Sequence, residues 1–144
     1  MRGMTLTANK QLLSALLAIS GGLAVERKPS FCLKVQRQIE EHARGWKDGQ
    51  FYSLIPNAPR TALGAENALK ARGWEVELKD ARPGDWVFNG TVSLPDGHVG
   101  RLIAPGFVLE NTTAARGVRL GGALAITPLA QFGVTTVIRI PEGL

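Results

Sequence analysis

The chain has 144 residues, 44% hydrophobic and 20% charged, with a formal net charge of +5. That length suits one domain over residues 1–144 with a single core, burying roughly 68–70% of its unfolded surface. No apolar run reaches the ~20 residues of a membrane span, and the basic residues are scattered rather than clustered, which argues against a nucleic-acid partner and leaves acidic polymers open.

Residues 1–24 support two readings. A basic start through Lys10, an apolar stretch from Leu12 to Ile19 and the small residues Ser20 to Ala24 have the layout of a signal peptide. The same stretch reads as a helix over 8–20, capped by Thr7 or Asn9 and ended by Gly21-Gly22. The helix is the favoured reading. A second helix is expected over 31–44. Pro29 cannot continue a preceding helix and Ser30 suits its N-cap, but Leu33, Val35 and Ile39 give only a loose apolar face. His42, late in that helix, is expected to face solvent near the helix C-terminus.

Residues 45–59 read as loop. A third helix follows over 61–72 with Gly73 as its cap, then a short strand over Trp74–Leu78. The second half reads as antiparallel β. Strands are expected over 85–92, 98–103, 107–113 and 134–140, with a hairpin about Pro105-Gly106 and a turn at Gly121-Gly122. N-terminal helices packed on a C-terminal antiparallel sheet make an α+β domain. Trp46, Trp74 and Trp86 are read as core or rim packing ahead of cleft lining.

The chemistry concentrates in Cys32 and His98. Cys32 is the only cysteine, so no intrachain disulfide forms and its thiol is free within the chain. It sits at a helix start. A thiol of pKa about 8.5 becomes a better nucleophile when a helix N-terminus and an imidazolium stabilise its anion. His98 stands at the start of a later strand, in Gly97-His98-Val99-Gly100. A lone cysteine is more often a buried hydrophobe, and a lone histidine is more often structural. The pair in this chain order, with a polar cluster after the histidine strand, favours nucleophile and base. The backbone N–H of Cys32 is then a ready oxyanion donor. No metal-ligand spacing and no phosphate-binding or dinucleotide glycine loop occurs, so neither metal nor cofactor is expected.

Three further segments follow Cys32 in order: Ala65 to Trp74 with its Gly73-Trp74 step, Ala81-Arg82-Pro83-Gly84-Asp85-Trp86-Val87-Phe88, and Gly97-His98-Val99-Gly100. From about Ser30 to Pro141 this order resembles the NlpC-type branch of papain-like cysteine peptidases, with the CHAP amidases close behind. The cysteine stands in Phe31-Cys32-Leu33-Lys34 rather than the Asp-Cys-Ser-Gly of the NlpC branch. Where that branch often has a second histidine, this chain has Glu110 followed by Asn111, closer to the CHAP pattern. The resemblance implies a papain-like fold and hydrolysis of amide bonds in peptidoglycan stem peptides or cross-bridges, with action at the cell wall as a secreted, periplasmic or phage-borne protein. Two alternatives stay open: a phage-tail or secretion-associated module that kept the fold without activity, and a cysteine peptidase or acyltransferase acting on proteins.

The third member of the triad depends on hairpin register. With a two-residue loop at Pro105-Gly106, Ala104 pairs with Phe107, His98 faces Thr113, and Asn111 lies diagonally on the same face. A three-residue loop shifts the pairing by one and brings Glu110 to the His98 face instead. Glu110 is ranked slightly ahead of Asn111.

Overall fold

A computed structural model describes residues 5–114 and 116–144. Among them it contains four α-helices and one seven-stranded antiparallel sheet, so the α+β expectation holds. The helices are α1 (Leu6–Ser20), α2 (Cys32–Arg44), α3 (Ala62–Ala71) and the single turn α4 (Leu129–Phe132). The strands are β1 (Glu75–Val76), β2 (Trp86–Asn89), β3 (His98–Ala104), β4 (Phe107–Asn111), β5 (Val118–Gly121), β6 (Leu124–Pro128) and β7 (Thr136–Ile138). They are ordered β1-β7-β2-β3-β4-β6-β5 across the sheet. No described helix is long and apolar enough to cross a membrane.

Local signals explain the helix ends. Thr5, rather than Thr7 or Asn9, caps α1 by accepting from the Ala8 N–H at 3.1 Å, and Gly21 ends it in the left-handed region at φ 90°. Thr61 caps α3 through the Gly64 N–H at 3.0 Å. The expected Ser30 cap on α2 does not form. Ser30 takes a left-handed φ of 72°, Phe31 occupies the N-cap position, and no side chain caps the helix.

The strands are shorter than their sequence patterns: 74–78 shrinks to β1, 85–92 to β2, and 134–140 to β7. After β2 the chain leaves the ladder at a side-chain-anchored loop, where Thr91 bonds back to Asn89, whereas Thr135 and Arg139 beside β7 still donate to the Phe88 and Trp74 carbonyls. Strands β5 and β6 and the turn α4 carry little pattern. Strand β5 is an exposed edge, and β6 contains Ala125 and Pro128, weak strand formers. The stretch read as loop holds a 3-10 turn over Gln50–Leu54, which buries Phe51.

Helix α2 is the centre of the molecule. One side packs on α1 through the small residues Ala15 and Ala18, and the other packs on the sheet through Val35 and Ile39 against Leu109 and Leu124. Trp86, Phe88, Val99 and Ile138 extend that sheet face toward α3. The opposite face carries Val87, Leu102, Val108 and Val137, closed by Phe132 of α4. Trp86 is fully buried and stacks on Phe51 at 4.9 Å between ring centroids. Trp46 and Trp74 pack at the core margin, as expected of packing residues.

The face of α2 is loose in sequence because much of its buried surface is polar. Gln36, Arg37, Glu40 and Glu41 are buried, each with a partner. Glu40 is fully enclosed. It accepts from Arg101 Nη1 at 2.9 Å, Trp86 Nε1 at 2.8 Å, Gln11 Nε2 at 2.9 Å and Arg44 Nε at 2.5 Å. Burial pushes its carboxyl up, but Arg101 and Arg44 win and hold it below the ordinary range.

A buried pair loses most when one partner goes, because the other charge is stranded. Glu40→Ala should therefore lower unfolding free energy by about 3–5 kcal/mol in urea titrations. The double variant Glu40→Met with Arg101→Met should recover most of that loss. Equal losses in single and double variants would refute the pairing argument.

Candidate active site

The histidine, carboxylate and thiol come from three elements. Cys32 opens α2, His98 opens β3, and Glu110 lies one residue before the end of β4. Cys32 and His98 line one cleft at the end of the sheet where β3 starts and β4 finishes. The approach to α2 is tied to that end. Asn111 Nδ2 donates to the Lys28 carbonyl at 2.7 Å, and Arg27 donates to the Leu120 carbonyl at 2.6 Å. A second depression on the other side of Cys32 is lined by Lys34, Tyr52 and Arg60.

The hairpin resolves the register in a way neither simple loop anticipates. Ala104 pairs with Phe107, as a two-residue loop requires. A bulge between Leu102 and Ala104 then absorbs one extra residue, so Leu102 pairs with Val108 and Gly100 with Glu110. The tight turn and the shifted register coexist. Side chains alternate along a strand, so this one-residue shift puts Glu110 on the His98 face and turns Asn111 to the α2 face.

The outcome separates the two candidate third residues. His98 Nε2 lies 2.6 Å from Glu110 Oε1, and both side chains are buried. Asn111 is also buried, but its amide serves Lys28, and its bonds do not include the His98 ring. Its Oδ1 has no hydrogen-bond partner. With Nε2 committed to Glu110, Nδ1 is the ring nitrogen left to serve the thiol.

The electrostatics follow this geometry. Burial alone would lower the His98 pKa, but the neighbouring Cys32 and the hydrogen-bonded Glu110 carboxylate overturn it and raise the ring from 6.5 to about 9. Burial would likewise raise the Glu110 carboxyl. Hydrogen bonds to His98 and from Arg116 hold it down at about 2 instead. At neutral pH the pair is imidazolium and carboxylate, with the imidazolium beside the thiol.

Two residues that sequence reasoning passed over complete the surroundings. Arg116, from the β4–β5 connection, binds both oxygens of Glu110 at 2.8 and 3.1 Å. The Phe132 ring lies 5.4 Å from the His98 ring. No sequence periodicity marks either residue, because Arg116 lies in an irregular connection and Phe132 in the single turn α4. The other histidine, His42, is exposed as expected and bonds Ser14 through Nδ1 at 2.8 Å. Among the described residues, no His, Cys, Asp and Glu group has the arrangement of a metal site. No protein-family model matches this chain, and no curated protein matches it.

The two shifts set the pH dependence of stability. A raised histidine pKa stabilises the fold fully below about pH 6.5, and that contribution is lost as pH rises through about 9. A depressed carboxylate pKa stabilises above about pH 4.5, and that contribution is lost as pH falls toward about 2. Thermal melts should show the wild type's advantage over Glu110→Gln widest near pH 5–6, narrowing on both sides. An advantage that stays constant between pH 6.5 and 9 would contradict the His98–Glu110 coupling.

Proposed function

We propose that this chain is a papain-like cysteine peptidase or amidase of the NlpC/CHAP type, hydrolysing amide bonds in peptidoglycan stem peptides or cross-bridges. The observation that carries the reading is the 2.6 Å His98–Glu110 contact, in a cleft shared with a thiol at a helix start. The substrate class rests on the motif resemblance. The chemistry rests on the geometry.

In this reading Cys32 attacks the scissile carbonyl as the thiolate of a thiolate–imidazolium pair, forming a C–S bond and an oxyanion. No side chain caps α2, which leaves first-turn N–H groups, that of Cys32 first, to receive the oxyanion. His98 passes its Nδ1 proton to the leaving amine as the C–N bond breaks. The neutral ring then takes a proton from water as the water attacks the thioester, the C–S bond breaks to release the carboxylic product, and the thiolate–imidazolium pair is restored. Glu110 keeps the ring oriented and stabilises its charged form throughout. The exposed Phe31, with Lys34 Nζ 5.3 Å from its ring centroid, forms the rim beside the thiol.

The deciding experiment is digestion of purified peptidoglycan, with release of soluble fragments as the readout. Cys32→Ala should leave the fold intact and lower turnover by about a thousandfold or more. Wild-type inactivity on peptidoglycan with activity on casein would redirect the reading to a protein peptidase. Inactivity on both, with Cys32 inert to iodoacetamide, would favour a structural module.

Within an active enzyme, Glu110→Ala should cost about a hundredfold in kcat, since the imidazole loses its orienting charge. Asn111→Ala should cost distinctly less and act mainly on thermal stability, because its amide holds the Lys28 segment. The reverse ranking would make Asn111 the orienting residue.

A further inference from the structure

We propose that Arg116 is a positioning residue that limits how strongly Glu110 holds the His98 imidazolium, and so keeps that imidazolium an effective acid. The functional consequence rests on the peptidase reading above. The coupling itself rests only on geometry.

Glu110 is fully buried and its two oxygens are unequally shared. Oε2 accepts from Arg116 Nε at 3.1 Å, whereas Oε1 accepts from Arg116 Nη2 at 2.8 Å and also faces His98 Nε2 at 2.6 Å. The oxygen that orients the imidazole is therefore the one a second cation also claims. The guanidinium is fixed from several sides. Its carbon lies 5.6 Å from the centroid of the Phe132 ring, the same ring that packs on His98, and Nη1 donates to the Gln131 carbonyl at 3.3 Å. Thr127 Oγ1 donates to the Arg116 carbonyl at 3.5 Å.

The charged and titratable groups facing His98 come from four places. Cys32 comes from α2, Glu110 from β4, Asp96 from the loop before β3, and Arg116 from the β4–β5 connection. Arg116 is the single fixed cation among these four. An imidazolium held at 2.6 Å by an unshared buried carboxylate is a poor acid, because releasing its proton strands the carboxylate charge. A guanidinium on the same oxygen offsets that charge before and after proton transfer. It also fixes the carboxylate plane, because a bidentate fork resists rotation.

The test compares the wild-type chain with Arg116→Gln, Arg116→Met and Arg116→Lys. Far-UV circular dichroism and thermal melts establish folding. The His98 ring titration is followed by NMR, and the pH dependence of Cys32 alkylation is followed with iodoacetamide. The neutral variants should move the His98 midpoint upward by about one pH unit. The Lys variant should restore at least half of the shift while losing turnover, since it keeps the charge without the fork. A midpoint that stays put or falls in either folded neutral variant overturns the proposal. So does unfolding of both neutral variants where the Lys variant folds, which would make Arg116 purely structural. Failure of Cys32 to alkylate in the folded wild type at any pH would sink the peptidase reading instead, and would leave the NMR comparison intact.

Discussion

The buried Glu40–Arg101 pair is the interaction on which the rest of this structure depends. Glu40 sits two turns along α2 from Cys32, and Arg101 sits three residues along β3 from His98. Arg101 is fully buried and also reaches the Gln36 side chain and carbonyl and the Gly84 carbonyl at 3.0–3.1 Å. Gln36 in turn donates to the Leu109 carbonyl, next to Glu110. The thiol, the imidazole and the carboxylate are thus referenced to one buried network. Gln11 brings α1 into it, and Arg44 brings in the chain end through the Ile140 carbonyl. Such a network is weak evidence for stability, since well-packed apolar residues often do as well. Its geometry is what apolar contacts do not reproduce: a directional bond fixes the rotation and translation of α2 over the sheet, where leucine against leucine tolerates sliding.

The second constraint is the bulge between Leu102 and Ala104. A ladder without it would keep the register set by the two-residue turn, with Asn111 on the His98 side and Glu110 under α2. A buried carboxylate under α2 would then lie near Glu40, and the imidazole would face an amide with no charge. One inserted residue separates the two carboxylates onto opposite faces of the sheet. One serves the structural pair with Arg101, and the other serves His98 and Arg116. Gly100, opposite Glu110, has no room for a side chain, because a Cβ there would lie 2.5 Å from Val108 Cγ1 and 3.0 Å from the Leu109 carbonyl oxygen.

The approach to Cys32 carries backbone strain. Ser30 holds a left-handed φ of 72°, a conformation that costs a non-glycine residue about 1 kcal/mol or more. The surrounding anchors account for its persistence: Asn111 on Lys28, Arg27 on Leu120, and the Ala123 N–H on the Arg27 carbonyl at 2.7 Å. This bend takes the place of a side-chain cap, so the first turn of α2 meets the cleft with its amides free of side-chain partners.

Much of the frame was legible in the sequence because it rests on local physics. Thr, Gly and Pro signals located the three long helices and the Pro105-Gly106 turn to within a few residues. β-branched and alternating runs placed the central strands β2, β3, β4 and β7. The order of a helix-start cysteine before a strand-start histidine singled out Cys32 and His98 without structural input. Beyond local reach lay everything set by partners distant in sequence. The polar buried face of α2 reads as a poor amphipathic helix until Arg101 and Trp86 satisfy it, so its central role was hidden. Strand β6 forms because β4 offers it a ladder, and the edge strand β5 because β6 does, while their own residues ask for it weakly. The choice of Glu110 over Asn111 turned on a single bulged residue, which carries no composition signal. The arrival of Arg116 at Glu110 depended on the path of an irregular connection. Sequence determined which side chains are available to one another. Tertiary structure decided which of them meet, because hydrogen bonds and charges act over a few ångströms and only the fold sets those distances.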